Sequence, residues 1–409
     1  MVDATVPRVA LLGNVANCLL PIALALREAG IHADLFVDDA APAVSRPENV
    51  DRALASAAWI KRGRWFPAWS ALVPWLSPVV RSLREYDLVV VSGAGPIYAQ
   101  WSRRPWCWWV SGHDLTVAPF PWVFRSTYPT WRRRAAAFPL ALWQRRAARR
   151  AHRIWVQPFA PFQEAIRQLQ LSSPPVASAY LPLSVTPGLV PPADPGPDLA
   201  AILDRMARAD LAVFHPSRMM MDSSYPAQRS GQWKGNDRLL RGLAELSTRR
   251  PELDVVLVAV DSPSSRDTRR ARALTSELGI DERVLWARPA ASEAFDRSEM
   301  AAMYEASDVV AVEFASGWFG NVVLEGLAMG RPVVSGIDED PMAVLYPSGH
   351  PIISAFEPAA IARALEDLVD PARRAEVGEA GLQWIEAHHT PAVTGRRYVS
   401  EVSAALRRA

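Results

Sequence analysis

The stretch that decides the fold is EFASGWFGNVVLEGLAMGRPVVSG, residues 313–336. Its end, Pro332–Ser335, has the short apolar run of a buried strand. The segment before it, NVVLEGLAM, has the spacing of a short helix, and ahead of that lies a loop containing Gly317 and Gly320. Loop, helix and strand in this order make part of a βα repeat. Glu325 falls on the first turns of the helix, and Gly317 stands eight positions before it.

Outward from this stretch the same alternation runs the length of the chain. RVALLG (8–13) leads through NVANC into a helix that stops near Gly30, and ADLFVD (33–38) follows. YDLVVVSG (86–93), WCWWVSG (106–112) and AHRIWVQP (151–158) read as further buried strands. LVPPADPGPD (189–198) is a connection dense in Pro, Gly and Asp. The pattern then restarts with LAVFHPSR (211–218), DVVLVAVD (254–261), RVLWARP (283–289), DVVAVEF (308–314) and RPVVSG (331–336). Such alternation builds parallel sheets covered by helices on both faces. The expectation is an α/β chain of two tandem Rossmann-like, doubly wound domains facing across a cleft. The boundaries expected are 1–190, 191–385 and a closing helix within 386–409 that packs toward the first domain.

Composition agrees with a folded, two-domain protein. The chain has 409 residues, half of them apolar and 22% charged, too many for one ordinary core. Residues 1–200 hold 21 Lys and Arg against 13 Asp and Glu, and the remainder holds 24 against 30. A basic first half and an acidic second half point to different partners. Cys18 and Cys107 alone give neither a disulfide framework nor a metal-ligand spacing, so a cytoplasmic setting is expected. No window reaches the roughly 20 apolar residues of a membrane span. The apolar run near the N-terminus lacks a basic leader and is interrupted by Asn14 and Asn17, so it reads as strand, turn and helix.

Three features of the second half sit where strands end. Arg218 follows one strand, and Lys234, in GQWKGNDRLL, shortly precedes a helix. Two cations at the mouth of a parallel sheet suit a diphosphate. GWFGNVVLEGL offers backbone N–H groups at a helix start, and Glu325 can accept from a vicinal diol such as a ribose. Singly, each has a plain explanation: an Arg or Lys at a strand end is ordinary surface charge, and a Glu in a first turn complements the helix dipole. Their order on successive βα units is what points to a nucleoside diphosphate site.

On these residues the chain resembles the GT-B fold retaining glycosyltransferases, the glycosyl transferases group 1. PSR…WKGNDRLL resembles that family's diphosphate element, and FGNVVLEGLAMGRPVV its signature helix and following strand. YDLVVVSGAGPIYA, VSGHDL and LLGNVANCLLPIALALREAG match its first half more loosely. The resemblance implies a sugar transferred from a nucleotide sugar, either UDP- or GDP-linked, to an acceptor hydroxyl with retention, without metal or other cofactor. It implies that Glu325 holds the ribose while Arg218 and Lys234 neutralise the leaving diphosphate. Gly13 and Asn14 would approach the phosphates, and His113 would contact the donor sugar. Phe319, Gly320, Asn321 and Arg288 would complete the donor site. Asp114, beside His113, is as suited to capping a turn as to touching substrate.

The departure is at Gly317, where the family carries a second glutamate. Glu313, four residues upstream, could reach the same space; otherwise the loop Ser316–Gly320 would hold the sugar by its backbone. The departure leaves room for a non-catalytic relative, and the fold for a sugar-nucleotide epimerase.

The acceptor is sought in the first half. Twelve of the sixteen tryptophans lie between Trp59 and Trp155, and no acid occurs between Asp114 and Glu164. Arg125, Arg132, Arg133, Arg134, Arg145, Arg146, Arg149, Arg150 and Arg153 stand in that acid-free stretch. Residues 59–76 and 130–150 mix bulky apolar and basic residues, the composition of an interfacial helix. Trp106, Trp108 and Trp109, on a strand, read as core. A nucleic-acid patch has a similar composition, but the sugar-nucleotide elements argue against it. The expectation is a peripheral contact with the inner face of the cytoplasmic membrane through 59–155, and an acceptor that is lipid-linked or a small molecule.

Overall fold

The computed structural model describes residues 6–123, 128, 130–171, 176–178, 191, 192, 194–262, 265–289 and 295–408. The chain divides into two units, Met1–Ser184 with Thr390–Ala409, and Val185–His389.

Unit 1 is built on seven parallel strands: β1 (Arg8–Leu12), β2 (His32–Asp38), β3 (Ile60–Gly63), β4 (Leu88–Val91), β5 (Trp106–Trp109), β6 (Arg153–Val156) and β7 (Val176–Ser178). Their order is β3-β2-β1-β4-β5-β6-β7, every neighbouring pair parallel. The chain works outward one way from β1 and then the other way from β4. Between β1 and β4 lies the switch point where such sheets open a crevice. Central strands carry runs such as LVVV in β4, buried throughout, because both faces of a parallel sheet are covered.

Helix α1 (Leu20–Glu28) buries Leu20, Ile22, Ala23 and Leu26. The closing helix, Pro391–Leu406, packs against α1. Tyr398 on it accepts a hydrogen bond from Trp109 Nε1 at 2.8 Å, and Glu401 pairs with Arg153. Trp106, Trp108 and Trp109 are core.

The tryptophan-rich segment 59–76 is not a helix. It forms β3 and then two short 3-10 turns, Ala68–Ala71 and Pro74–Leu76. Pro67 and Pro74 remove N–H donors that a continuous helix would need. The second segment is a helix, α2 (Trp131–Ala148), N-capped by Thr130. It has no single apolar face. Ala141, Gln144, Ala147 and Ala148 point inward, while Trp131, Arg132, Arg133, Phe138 and Leu142 are exposed. Arg125 lies outside the described residues.

Unit 2 carries six parallel strands: β8 (Leu211–His215), β9 (Val255–Val260), β10 (Val284–Ala287), β11 (Val309–Ala311), β12 (Val333–Ser335) and β13 (Ile353–Ser354). The order β10-β9-β8-β11-β12-β13 places a second switch point between β8 and β11. Helix α3 (Asn236–Arg249) buries Leu239, Leu240, Leu243 and Leu246, the stripe expected of a helix lying on a sheet. Helix α4 (Arg297–Ala306) begins with a capping box between Asp296 and Glu299. Helix α5 (Asn321–Ala328) follows the deciding loop, and α6 (Pro371–His388) packs on it at very close range. A Cβ on Gly378 of α6 would stand 2.3 Å from the Gly330 carbonyl oxygen just past α5, and one on Gly381 would lie 3.0 Å from Leu327 Cδ2. Of the Pro-rich connection, residues 191, 192 and 194–196 lie outside helix and strand, and a helix starts at Pro197.

Candidate functional site

The switch point of unit 2 is organised by a histidine that ends β8. His215 Nδ1 lies 2.7 Å from the Ala311 carbonyl oxygen, which can only accept, so Nδ1 carries the proton. Nε2 is therefore an acceptor, and it takes a hydrogen bond from Asn236 Nδ2 at 2.7 Å. Burial pushes the imidazole pKa down to about 4, against the Ala311 bond, which favours the charged form. The ring is neutral at pH 7. Asn236 Oδ1 accepts from the Met220 N–H at 2.8 Å. One buried chain of hydrogen bonds thus ties together the loop bearing Arg218, the loop bearing Lys234 and the end of β11. Arg218 is exposed and makes no ion pair among the described residues, whereas Met219 beside it is buried.

Lys234 Nζ lies 2.5 Å from Glu313 Oε1, and the Phe314 N–H donates to the Lys234 carbonyl oxygen at 2.7 Å. Glu313 adopts a left-handed backbone, φ 57°, a conformation that disfavours a side chain. Its carboxylate also faces the start of α5: a Cβ on Gly320 would sit 3.4 Å from Glu313 Oε1. Gly320 occupies the N-cap position, and no side chain caps this helix. Ammonium, carboxylate and uncapped helix N-terminus therefore share one small volume. Asn321, the first helical residue, has a buried Oδ1 with no partner among the described residues.

Glu325 lies farther along α5, and both its oxygens have partners. Tyr304 of α4 donates to Oε2 at 2.9 Å, and Arg297 stands 3.9 Å from Oε1. Burial raises the carboxyl pKa, opposed by Arg297 and the Tyr304 hydrogen bond. Gly317 has φ 73°, and the Asp338 N–H donates to its carbonyl oxygen at 2.9 Å. A Cβ there would stand 3.2 Å from Asp338 Cβ. Any side chain at 317 is strained in this loop, a glutamate included. Glu313, weighed as its replacement, has its carboxylate on Lys234. Phe319 is buried, stacked on Trp318 with centroids 5.0 Å apart and edge-on to Trp384, and so braces the loop. Arg288 follows β10 and holds Asp261 Oδ2 at 2.8 Å, an oxygen shared with Arg272 at 3.1 Å. That cluster lies on the β9–β10 side of β8, away from the Lys234 group.

In unit 1 the loop after β1 turns at Gly13, φ 91°, where a Cβ would fall 2.0 Å from the Ser92 carbonyl oxygen. No other residue fits. Asn14 is buried: Nδ2 donates to Asn17 Oδ1 at 2.6 Å and to the Ser45 carbonyl at 3.1 Å, and Oδ1 accepts from the Leu19 N–H. Its side chain fixes the loop. His113 is exposed, at the start of a one-turn helix, His113–Thr116. Asp114 is buried and accepts from the N–H groups of Gly93, Ser111 and Gly112 and from Trp108 Nε1. The carboxylate does not cap the turn that follows it: no side chain caps the helix His113–Thr116, and all of these donors precede Asp114 in the chain.

Residues 226–370 match the family described as glycosyl transferases group 1. The matched stretch lies within unit 2. In sequence the chain is similar to the D-inositol 3-phosphate glycosyltransferase of Corynebacterium diphtheriae, 34% identical over 160 residues, which is 38% of this chain and 36% of that protein. The match thus spans about a third of the relative's length. In structure the whole chain is similar to sucrose-phosphate synthase from Thermosynechococcus elongatus, with TM-score 0.65, 16% identity and coverage of 98% and 100%. A glycosyltransferase from Rickettsia africae ESF-5 gives TM-score 0.62, 13% identity and coverage of 99% and 100%. These likenesses show the fold, GT-B, beyond the stretch that the group 1 family covers.

Sequence reasoning singled out the group 1 elements but missed His215, Asn236, Tyr304 and Arg297. A histidine closing an apolar strand, in FHP, was a signal that could have been followed. Nothing local distinguishes Tyr304 or Arg297 from any helix residue, because their partner is 21 or more positions away.

Proposed function

We propose that the chain transfers a sugar from a nucleoside diphosphate sugar to an acceptor hydroxyl with retention of anomeric configuration. The observation that carries this reading is Lys234 standing with the uncapped N-terminus of α5 at the switch point of unit 2. A fixed cation and a helix N-terminus suit an anion. When the bond from the anomeric carbon to the diphosphate oxygen breaks, its electron pair goes to that oxygen. A preorganised cation stabilises this developing charge more than the ground state. The acceptor oxygen bonds to the anomeric carbon from the face the diphosphate leaves, and its proton passes to the departing phosphate oxygen. Arg218 supplies a second cation, and Glu325 accepts from the ribose diol. With glycine at 317, the sugar hydroxyls fall to backbone N–H groups of Ser316–Gly320. No metal is required for any of these steps.

The test is a panel of UDP- and GDP-sugars with nucleoside diphosphate release measured with and without acceptors. Release that depends on an acceptor supports transfer. No release with any donor, together with retained nucleotide binding, supports a binding protein instead, the alternative for which Gly317 leaves room.

Membrane docking belongs to the same reading. Trp69, Leu72, Trp75 and Leu76 on the 3-10 turns, and Trp131, Phe138 and Leu142 on α2, are exposed apolar residues in a basic region. Trp75 touches Trp143 of α2, centroids 5.8 Å apart, so the two segments adjoin. No helix among the described residues is long and apolar enough to cross a membrane. A surface contact with anionic lipid, worth about 1 kcal/mol per basic residue, would be salt-dependent. Co-sedimentation with anionic vesicles at low salt tests it, and protein left in the supernatant refutes it.

A further inference from the structure

The switch point of unit 1 opens into a cavity of about 310 Å³, within the size range of small-molecule sites. Its apolar wall comes from Val15 after β1, Phe36 in β2, Ala41 and Pro42 beyond it, Phe66, and Ala94 after β4. The polar residues of the wall are Asn14, Asp38 and Ser45, and all three are engaged within the unit. Asn14 is bonded to Asn17, Ser45 and Leu19. Asp38 accepts from the N–H groups of Ala40 and Phe66 at 2.9 and 2.8 Å. Ser45 Oγ accepts from the Ala16 N–H at 2.9 Å. The Val15 and Asn17 amides donate to Gly13 and Asn14 carbonyls, so the loop after β1 turns three successive amides inward. Among the described residues, no Lys, Arg or His lines the cavity.

A phosphate needs charge-assisted donors to leave water, and this cavity presents none from a basic side chain. A phosphorylated polyol, the substrate class in the name of the Corynebacterium relative, therefore has no anion partner here. We propose that the cavity seats an uncharged, apolar or aromatic part of the acceptor that carries the receiving hydroxyl. The assignment rests on the transferase reading above for the word acceptor, and on the lining alone for the chemistry.

Ala94 is exposed and Ala41 half-buried at the wall, so a larger side chain at either position fills the cavity from its rim. Binding to the full chain is measured with 4-nitrophenyl β-glucoside, n-hexyl β-glucoside and myo-inositol 3-phosphate, without donor, in the native protein and in Ala94→Phe and Ala41→Phe. UDP and GDP binding is measured in parallel. The two apolar glucosides are expected to bind and to weaken by at least about tenfold in both variants, as loss of a well-filled apolar contact commonly does. The inositol phosphate is expected neither to bind nor to displace them, and UDP or GDP binding to be unchanged by the variants. Inositol phosphate binding that the variants weaken overturns the assignment, as does glucoside binding that is absent or indifferent to both variants. If neither nucleotide binds while the variants still weaken glucoside binding, the transferase reading falls and the cavity's chemistry stands.

Discussion

The two units share a sheet order and differ in what stands at its switch point. In unit 1 the strand ends surround an apolar cavity, and Asn14, Asp38 and Asp114 all spend their polar atoms on the unit's own backbone and side chains. In unit 2 the buried polar network, His215 with Asn236, lies beneath the surface and holds out an exposed Arg218 and a Lys234 paired with Glu313. One fold thus presents apolar shape in one half and fixed charge in the other. The lesson is that the strand-end residues, not the topology, divide the labour.

The contrast can be broken most severely in acid. His215 has a folded-state pKa of about 4, below its ordinary 6.5. A depressed value means that its stabilising effect is complete above pH 6.5 and is lost as the pH falls through 4. A shift of this size corresponds to about 3 kcal/mol. Stability of the native chain and of His215→Gln, followed by denaturant unfolding, should converge between pH 6.5 and 4. Parallel curves would show that the imidazole does not hold the unit 2 loops.

Charge at the same switch point is tested next. Lys234→Ala should lower turnover by about a hundredfold at saturating donor, as loss of a transition-state donor commonly does. Lys234→Arg should restore only part, because a planar fork does not reproduce a point charge. Near-normal turnover in Lys234→Ala would reduce the pair with Glu313 to a structural contact and erase the distinction between the units.

Glu325→Ala should weaken nucleoside diphosphate binding by roughly tenfold to a hundredfold, the worth of charge-assisted hydrogen bonds. Because burial raises this carboxyl's pKa, native affinity should already decline at a pH where an exposed glutamate stays ionised. Calorimetry on the folded variant decides it, and unchanged affinity would remove the ribose assignment. The smallest effect is expected at Gly317. Gly317→Ala should cost about 1 kcal/mol of stability because of its left-handed backbone, read as a lowered melting temperature. A neutral outcome would mean that the loop relaxes and could accept the family's glutamate.

Much of this architecture is legible in the sequence, for a physical reason. Central parallel strands are buried on both faces, so VALL, LVVV, VVLVAV and VVS announce themselves as apolar runs. Three of the four edge strands do not. β3 reads IKRG, β13 has two residues, and β7 is only three long. The 59–76 segment misled because composition was weighed above its prolines. At the site, Lys234, Gly317 and Glu325 were visible because the group 1 pattern is local. Glu313's hold on Lys234 spans 79 positions and rests on a left-handed backbone, and Tyr304 reaches Glu325 from the preceding helix. No window along the chain contains such pairs.

The contact between α6 and α5 carries a consequence for anyone altering this protein. Gly378 and Gly381 touch no residue assigned to the donor, yet their missing side chains decide how deeply the helix bearing Glu325 can seat. A methyl group at 378 has nowhere to go but against the Gly330 carbonyl, so the helix itself would have to yield. The carboxylate would then shift without having been touched. Variation at these two glycines is therefore a remote control on the candidate donor site, one that a survey confined to the residues proposed for that site would pass over.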